Sequence, residues 1–183
     1  MRQPDPAAID IRDLLFADIR EGRFLARIST CAGGVLSGVD AIREKGRDIG
    51  VTFHELLPEG ARLEKGTVLA KFHGTPKQLA LCEESLIGLA AKYSGVATAA
   101  AAARQAAGRL RVVCGAWKKM PPETKQALRK AITTGGVPTR LTDQNFVYLD
   151  KNYVRMLGGI QETLAAAAGA GQRVKAIQLR GET

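Results

Sequence analysis

The sequence predicts an α+β N-terminal domain over residues 1–107, followed by an α/β part built on parallel strands over residues 108–183. Two observations predict the first part. Short runs with strand-like alternation lie between residues 33 and 74, and a helical pattern fills 75–107. A third predicts the second part: from residue 109 the rhythm becomes strand, helix, strand, helix, strand, which folds as parallel strands with crossover helices.

Residues 8–30 read as a helix and a turn, with Leu14, Leu15, Phe16 and Ile19 at helical spacing. Residues 33–38 then open a region of short strands around Val35, 51–53, 61–63 and 68–72. Gly60 and Gly66 punctuate the stretch LPEGARLEKGTVLAKFHG. Lipoyl- and biotinyl-type barrels share that rhythm, but no modifiable lysine stands between apolar residues at a hairpin tip, so no attached cofactor is expected. Thr75 is placed to cap a helix whose apolar stripe is Leu79, Leu81, Leu86, Leu89 and Ala90. The motif Ser94-Gly95-Val96-Ala97-Thr98 interrupts that pattern, and an alanine-rich run to Ala107 suits a second, closely packed helix. Beyond it, 110–114 reads as an apolar strand. Residues 122–134 read as a helix with Pro122 at its start and Gly135-Gly136 past its end. A strand at 146–149, a helix within 153–169 and a strand at 174–179 complete the series.

Composition is that of an ordinary globular protein, 45% apolar and 25% charged. Aromatics are only 5%, so the core must be mainly Ala, Leu, Val and Ile. No uninterrupted apolar run approaches the roughly 20 residues that span a bilayer. Acidic residues near the N-terminus occupy the place of a signal peptide's apolar stretch, so a soluble cytoplasmic chain without membrane contact is expected. Cys31, Cys82 and Cys114 share no metal-ligand spacing with one another or with His54 and His73; buried free thiols and no metal site are expected.

The net charge of +9 is concentrated. Residues 1–107 are nearly balanced, with 14 basic and 13 acidic side chains. Residues 108–156 hold ten basic residues against Glu123, Asp143 and Asp150, a surplus that attracts phosphates, carboxylates or other anions. Only Trp117, Phe146, Tyr148 and Tyr153 lie among them and no nucleic-acid-binding motif appears, so nucleic acid is not the expected partner.

Several motifs carry a resemblance. Residues 83–98 are similar to the helix and Ser-Gly-Ile-Ala-Thr motif of quinolinate phosphoribosyltransferases. Trp117-Lys118-Lys119-Met120 stands where that family has Thr-Arg-Lys-Thr, followed by a Pro-led helix and a Gly-Gly turn. Thr139-Arg140 matches the family's His-Arg pair, and Asp150-Lys151-Asn152-Tyr153 its Lys-Asp-Asn-His; Gly158-Gly159-Ile160 also fits. The resemblance implies an α/β sandwich N-terminal domain and a partial α/β barrel of about three strands.

It also implies which side chains meet substrate. The family's substrates, quinolinate and phosphoribosyl pyrophosphate, are polyanions, and arginine forks match carboxylates best. Lys118, Lys119, Arg140, Lys151 and Asn152 are the anion-binding candidates. Four positions are altered. Glu84 replaces an arginine that reaches a partner subunit's quinolinate; Thr139 replaces a histidine, Asp150 a lysine and Tyr153 a histidine. The third strand, Ile177-Gln178-Leu179-Arg180, lacks the family's glutamates, and its Gly-rich phosphate loops have no counterpart. An open parallel edge calls for a homodimer or a second chain to complete the barrel.

The leading expectation is therefore a non-catalytic relative that binds an anionic small molecule or a partner protein. The alternative is an active pentosyltransferase that needs a partner chain and converts quinolinate and phosphoribosyl pyrophosphate to nicotinate mononucleotide, CO₂ and diphosphate. Another is a relative with a changed substrate, as among relatives associated with molybdenum transport. No cofactor is expected except Mg²⁺ with bound phosphoribosyl pyrophosphate.

Overall fold

A computed structural model describes residues 10–181. The chain forms two compact units that divide between Thr139 and Arg140.

In the first unit, Asp10 caps helix α1 (Ile11–Leu15) by accepting a hydrogen bond from the Arg12 amide. The helix expected over 8–30 is thus much shorter, and its first two residues lie outside the described residues. A 3₁₀ turn at Ala17–Ile19 leads into strand β1 (Phe24–Ser29), read from sequence as helix and turn. Its alternation explains the strand, because Ala26 and Ile28 pack on the core while Leu25 and Arg27 face outward. Strands β2 (Gly34–Val35), β3 (Thr52–Leu56), β4 (Arg62–Leu63) and β5 (Val68–Gly74) lie where sequence reading placed them. An antiparallel sheet runs β1-β5-β3, and β2 pairs with β4.

Helix α2 (Val39–Ile49) interrupts what sequence reading treated as strands only. Its buried residues, Val39, Ile42 and Gly46, recur at intervals of three and four, the helical signal in an otherwise polar segment. Helix α3 (Pro76–Ala106) is one element of 31 residues, not two. Thr75 and Gln78 form a reciprocal capping box at its start. It runs unbroken through Ser94-Gly95-Val96-Ala97-Thr98, because packing on both sides outweighs the cost, about 1 kcal/mol, of a glycine within a helix. α3 has the length and apolarity to cross a membrane; here it packs against α2, β1, β2 and β5.

Two apolar clusters hold the unit together. Ile42, Val51, Phe72, Cys82, Leu86 and Ala90 form the larger; Leu36, Val39 and Leu63 form the smaller. Burial pushes the Cys82 thiol up to about 11, which leaves it an inert apolar side chain. Cys31, expected to be buried, is exposed, and Cys114 is half-buried. Residues 110–114, expected as a strand, join no sheet, although the Cys114 amide donates to the Pro138 carbonyl at 2.9 Å. Helix α4 (Pro122–Thr134) has the predicted bounds and packs on α3. The fit is close: a Cβ at Gly135 would lie 2.2 Å from the Ala97 carbonyl oxygen and 2.6 Å from Ala100 Cβ.

One carboxylate links three segments of this unit. Gly38, at φ 90°, begins α2 and has no side chain with which to cap it. Glu59 supplies the cap from the loop between β3 and β4. Its Oε2 accepts from the Gly38 and Val39 amides at 3.0 and 3.1 Å, and its Oε1 accepts from Ser37 Oγ at 2.5 Å and Thr134 Oγ1 at 2.9 Å. Nearby, Lys130 of α4 pairs with Asp40 of α2 at 2.5 Å. Burial pushes the Glu59 carboxyl up, but the Ser37 hydroxyl, the Val39 amide, Thr134 and the Lys130 charge together hold it below its ordinary value.

The second unit contains strand β6 (Phe146–Leu149), helices α5 (Lys151–Leu157) and α6 (Ile160–Ala167), and strand β7 (Val174–Ile177). β6 and β7 pair in parallel, Phe146 opposite Val174 through to Leu149 opposite Ile177. This is a fragment of an α/β barrel, with two strands rather than the three expected. The single helix expected within 153–169 is two, because Gly158 ends α5 at φ 97°, a conformation open mainly to glycine.

Glu59→Ala should lower the unfolding free energy by roughly 2 kcal/mol, read from the urea midpoint, because a cap is lost and buried donors are left unpaired. Since the folded-state value lies below the unfolded one, Glu59's contribution is present above about pH 4.5 and is withdrawn as pH falls through the folded value. Glu59→Gln should flatten this acid limb. Gly135→Ala should cost about 1–3 kcal/mol by overpacking.

Candidate functional site

The motif Ser94-Gly95-Val96-Ala97-Thr98 is engaged in packing. Ser94 and Thr98 are one helical turn apart and so share a face of α3. Ser94 Oγ accepts from the Ser37 amide at 3.0 Å, and Thr98 Oγ1 accepts from the Val35 amide at 2.9 Å. A Cβ at Gly34 would lie 2.4 Å from Thr98 Oγ1, so the glycine allows the strand to reach the hydroxyl. Ala97, fully buried between them in sequence, is the residue that Gly135 approaches. The motif therefore docks β2 along α3 and permits contact with the end of α4.

Glu84 projects from α3 with a partner of its own. It is hydrogen-bonded and ion-paired with Arg12 of α1, which also contacts Asp10 at 3.1 Å. The Glu84 hydrogen bond, followed by that to Asp10, raises the Arg12 pKa. Lys77 extends the group, reaching Asp13 at 2.7 Å and Asp10 at 3.3 Å.

Lys118 and Lys119 close a 3₁₀ turn (Ala116–Lys119) and are exposed. The turn is anchored by Trp117, whose Nε1 donates to the Cys114 carbonyl at 3.2 Å and whose ring has the Arg129 guanidinium 4.7 Å above it. Trp117 also lines an apolar cleft of about 490 Å³ between α3, the segment 112–120 and α4, together with Val96, Ala100, Val113, Met120 and Ile132. That volume lies within the range of small-molecule sites.

The other candidates belong to the second unit. Arg140 stands 5.6 Å over the Phe146 ring, and its Nε donates to the Thr142 carbonyl at 3.3 Å. Asp150 is the N-cap of α5: Oδ1 accepts from the Asn152 amide at 2.8 Å and the Tyr153 amide at 3.3 Å. Asp150, where the family resemblance implies a lysine, thus serves as a helix cap. Asn152 and Tyr153 are exposed, and the Lys151 amide donates to Gln178 Oε1 at 3.3 Å. Gln178 was not among the candidates, yet it ties together the C-terminal ends of β6 and β7, the edge where α/β folds carry their sites. Thr139 is half-buried at the end of the first unit. The five anion-binding candidates are thus divided, Lys118 and Lys119 in one unit and Arg140, Lys151 and Asn152 in the other. Among the described residues, no group of three or more His, Cys, Asp or Glu is placed to hold a metal ion.

Residues 13–94 match the family described as quinolinate phosphoribosyl transferase, N-terminal domain. Over those residues the chain is similar to that family's N-terminal domain. Solved structures share its fold. NadC from Streptococcus pyogenes has a TM-score of 0.69 at 22% identity over 93% of this chain and 69% of that one. Nicotinate-nucleotide pyrophosphorylase from Ehrlichia chaffeensis has a TM-score of 0.72 at 17% identity over 95% of this chain and 64% of that one. The Pyrococcus furiosus nicotinate-nucleotide pyrophosphorylase has a TM-score of 0.55 at 24% identity over 84% of this chain and 40% of that one. The chain thus spans about two thirds of the first two and less of the third. No curated protein sequence matches it.

The quinolinate phosphoribosyltransferase-like motifs should behave as structural elements. Ser94→Ala and Thr98→Val each leave an amide of the β2 region without its acceptor and should cost about 1–3 kcal/mol in urea unfolding. Asp150→Ala should cost about 1 kcal/mol through the lost cap.

Proposed function

We propose that this quinolinate phosphoribosyltransferase-like chain is a non-catalytic relative that binds an anionic small molecule. One observation carries the reading. At the two positions where the family resemblance calls for a cation and the sequence has an acid, the acid is already used: Glu84 pairs with Arg12, and Asp150 caps α5. Glu84 would repel a dicarboxylate, and Asp150 presents a carboxylate where a lysine would attract one. Within the first unit Lys118 and Lys119, in the turn that borders the cleft, supply affinity for an anion; Arg140, Lys151 and Asn152 are a separate polar set in the second unit. The apolar cleft beside Trp117 suits the ring or chain of an organic acid. No cofactor is part of the reading, and Mg²⁺ enters only with a bound diphosphate.

The chain's partner in this proposal is a second copy. Ile11, Leu14, Leu15 and Leu25 are all more than half exposed on α1 and β1. Exposed apolar side chains of this kind suit association with another chain. A second reading, an active enzyme of NAD biosynthesis, is favoured by the retention of Lys119 and Arg140 and by structural neighbours named nicotinate-nucleotide pyrophosphorylases.

Calorimetric titration with quinolinate, and separately with phosphoribosyl pyrophosphate and Mg²⁺, distinguishes the readings when nicotinate mononucleotide is assayed in the same samples. The proposal predicts heat with at least one anion, loss of that heat in Lys118→Ala/Lys119→Ala, and no product. Formation of nicotinate mononucleotide would overturn it. In sedimentation velocity the parent chain should be a dimer, and Leu14→Asp/Leu15→Asp should be a folded monomer.

A further inference from the structure

The chain has only two histidines, 19 residues apart in sequence, and they touch. His54 lies on β3 and His73 on β5, adjacent antiparallel strands. The ladder pairs Thr52 with His73 and Phe53 with Phe72, then shifts so that Glu55, not His54, stands opposite Lys71. His54 is the extra residue of this β-bulge, and bulges re-aim side chains. Its imidazole leans onto His73, Nε2 lying 2.5 Å from Nδ1, with the ring centroids 4.7 Å apart and the planes at 80°. Both side chains are exposed, whereas the neighbouring Phe53 and Phe72 face the core. The adjacent charges are already paired, Lys71 Nζ to Glu55 at 3.0 Å, so no uncompensated ammonium of that pair faces the imidazoles.

We propose that His54 and His73 form a two-point chelate for a borderline divalent cation, zinc or nickel, on the outer face of the three-stranded sheet. Imidazole nitrogens bind zinc at about 2.0–2.1 Å, so two of them at a tetrahedral angle stand about 3.3 Å apart. Opening the present pair by about 1 Å therefore admits the ion, and exposed rings make such a movement by rotamer adjustment alone. The strands fix the two Cα positions, so little ordering accompanies binding. Water completes the coordination. Magnesium, which prefers oxygen ligands in an octahedron, is excluded by ligand type. The site is independent of the anion-binding reading, since it involves none of the same residues.

Calorimetric titration of the untagged full chain with zinc chloride, nickel chloride and magnesium chloride tests the site. Zinc and nickel should each bind with one cation per chain, and magnesium should give no heat. His54→Gln and His73→Gln, each shown to be folded by circular dichroism, should each lose binding. In the parent, zinc should shift the ring resonances of both histidines together. Absence of binding, or binding that survives either substitution, as it would if exposed Cys31 or carboxylates held the ion, overturns the proposal. A ratio of one cation to two chains overturns the intrachain chelate.

Discussion

The arrangement of the first unit depends on a single carboxylate. Glu59 has no sequence neighbour among its partners: it reaches the start of α2, the Ser37 hydroxyl and Thr134 at the end of α4. Without it, the first amides of α2 would be unpaired at a half-buried end, a cost that native helices avoid by capping. The same contact holds α4 in register with α2, and α4 in turn borders the apolar cleft. The cleft is therefore a consequence of the Glu59 contacts and of the close approach of Gly135 to Ala97.

A second theme is that side chains in the family-like motifs serve the architecture. Ser94 and Thr98 are hydroxyl residues in a motif that resembles an enzyme's, yet both bond to main-chain amides, at Ser37 and Val35. Glu84 and Asp150 follow the same pattern, one ion-paired to α1 and the other capping α5. These contacts are short-range and modest in energy, of the order of 1 kcal/mol for a cap and less for an exposed ion pair. Their importance lies in charge. An arginine or lysine at either position would attract a dicarboxylate, and the acids that replace them do not.

Much of this was legible in the sequence where local rules suffice. The capping residue Thr75, the Pro-led helix α4 with its Gly-Gly ending, and strand β6 follow from propensity and punctuation. β1 is hidden in the sequence because Leu14, Leu15 and Ile19 extend a helical pattern across Gly22, and its strand character comes from pairing with β5. α2 was missed because its polar composition hides a stripe of three small or apolar residues. The continuity of α3 is hidden in the same way: Gly95 looks like a break, but tertiary contacts on both sides keep the helix continuous. At the site, residue identities were readable and partners were not. No spacing rule links Glu84 to Arg12, Glu59 to Thr134 or His54 to His73, since each pair is joined only by the fold.

The central proposal is that Glu84 and Asp150 serve the structure and do not favour binding of a dicarboxylate. The most direct measurement is urea unfolding of Glu84→Arg/Asp150→Lys, with nicotinate mononucleotide assayed on the parent chain. The account predicts a lower midpoint than the parent, because the reversal removes a cap and an ion pair, and no product from the parent chain. An unchanged midpoint, or product from the parent, would contradict it.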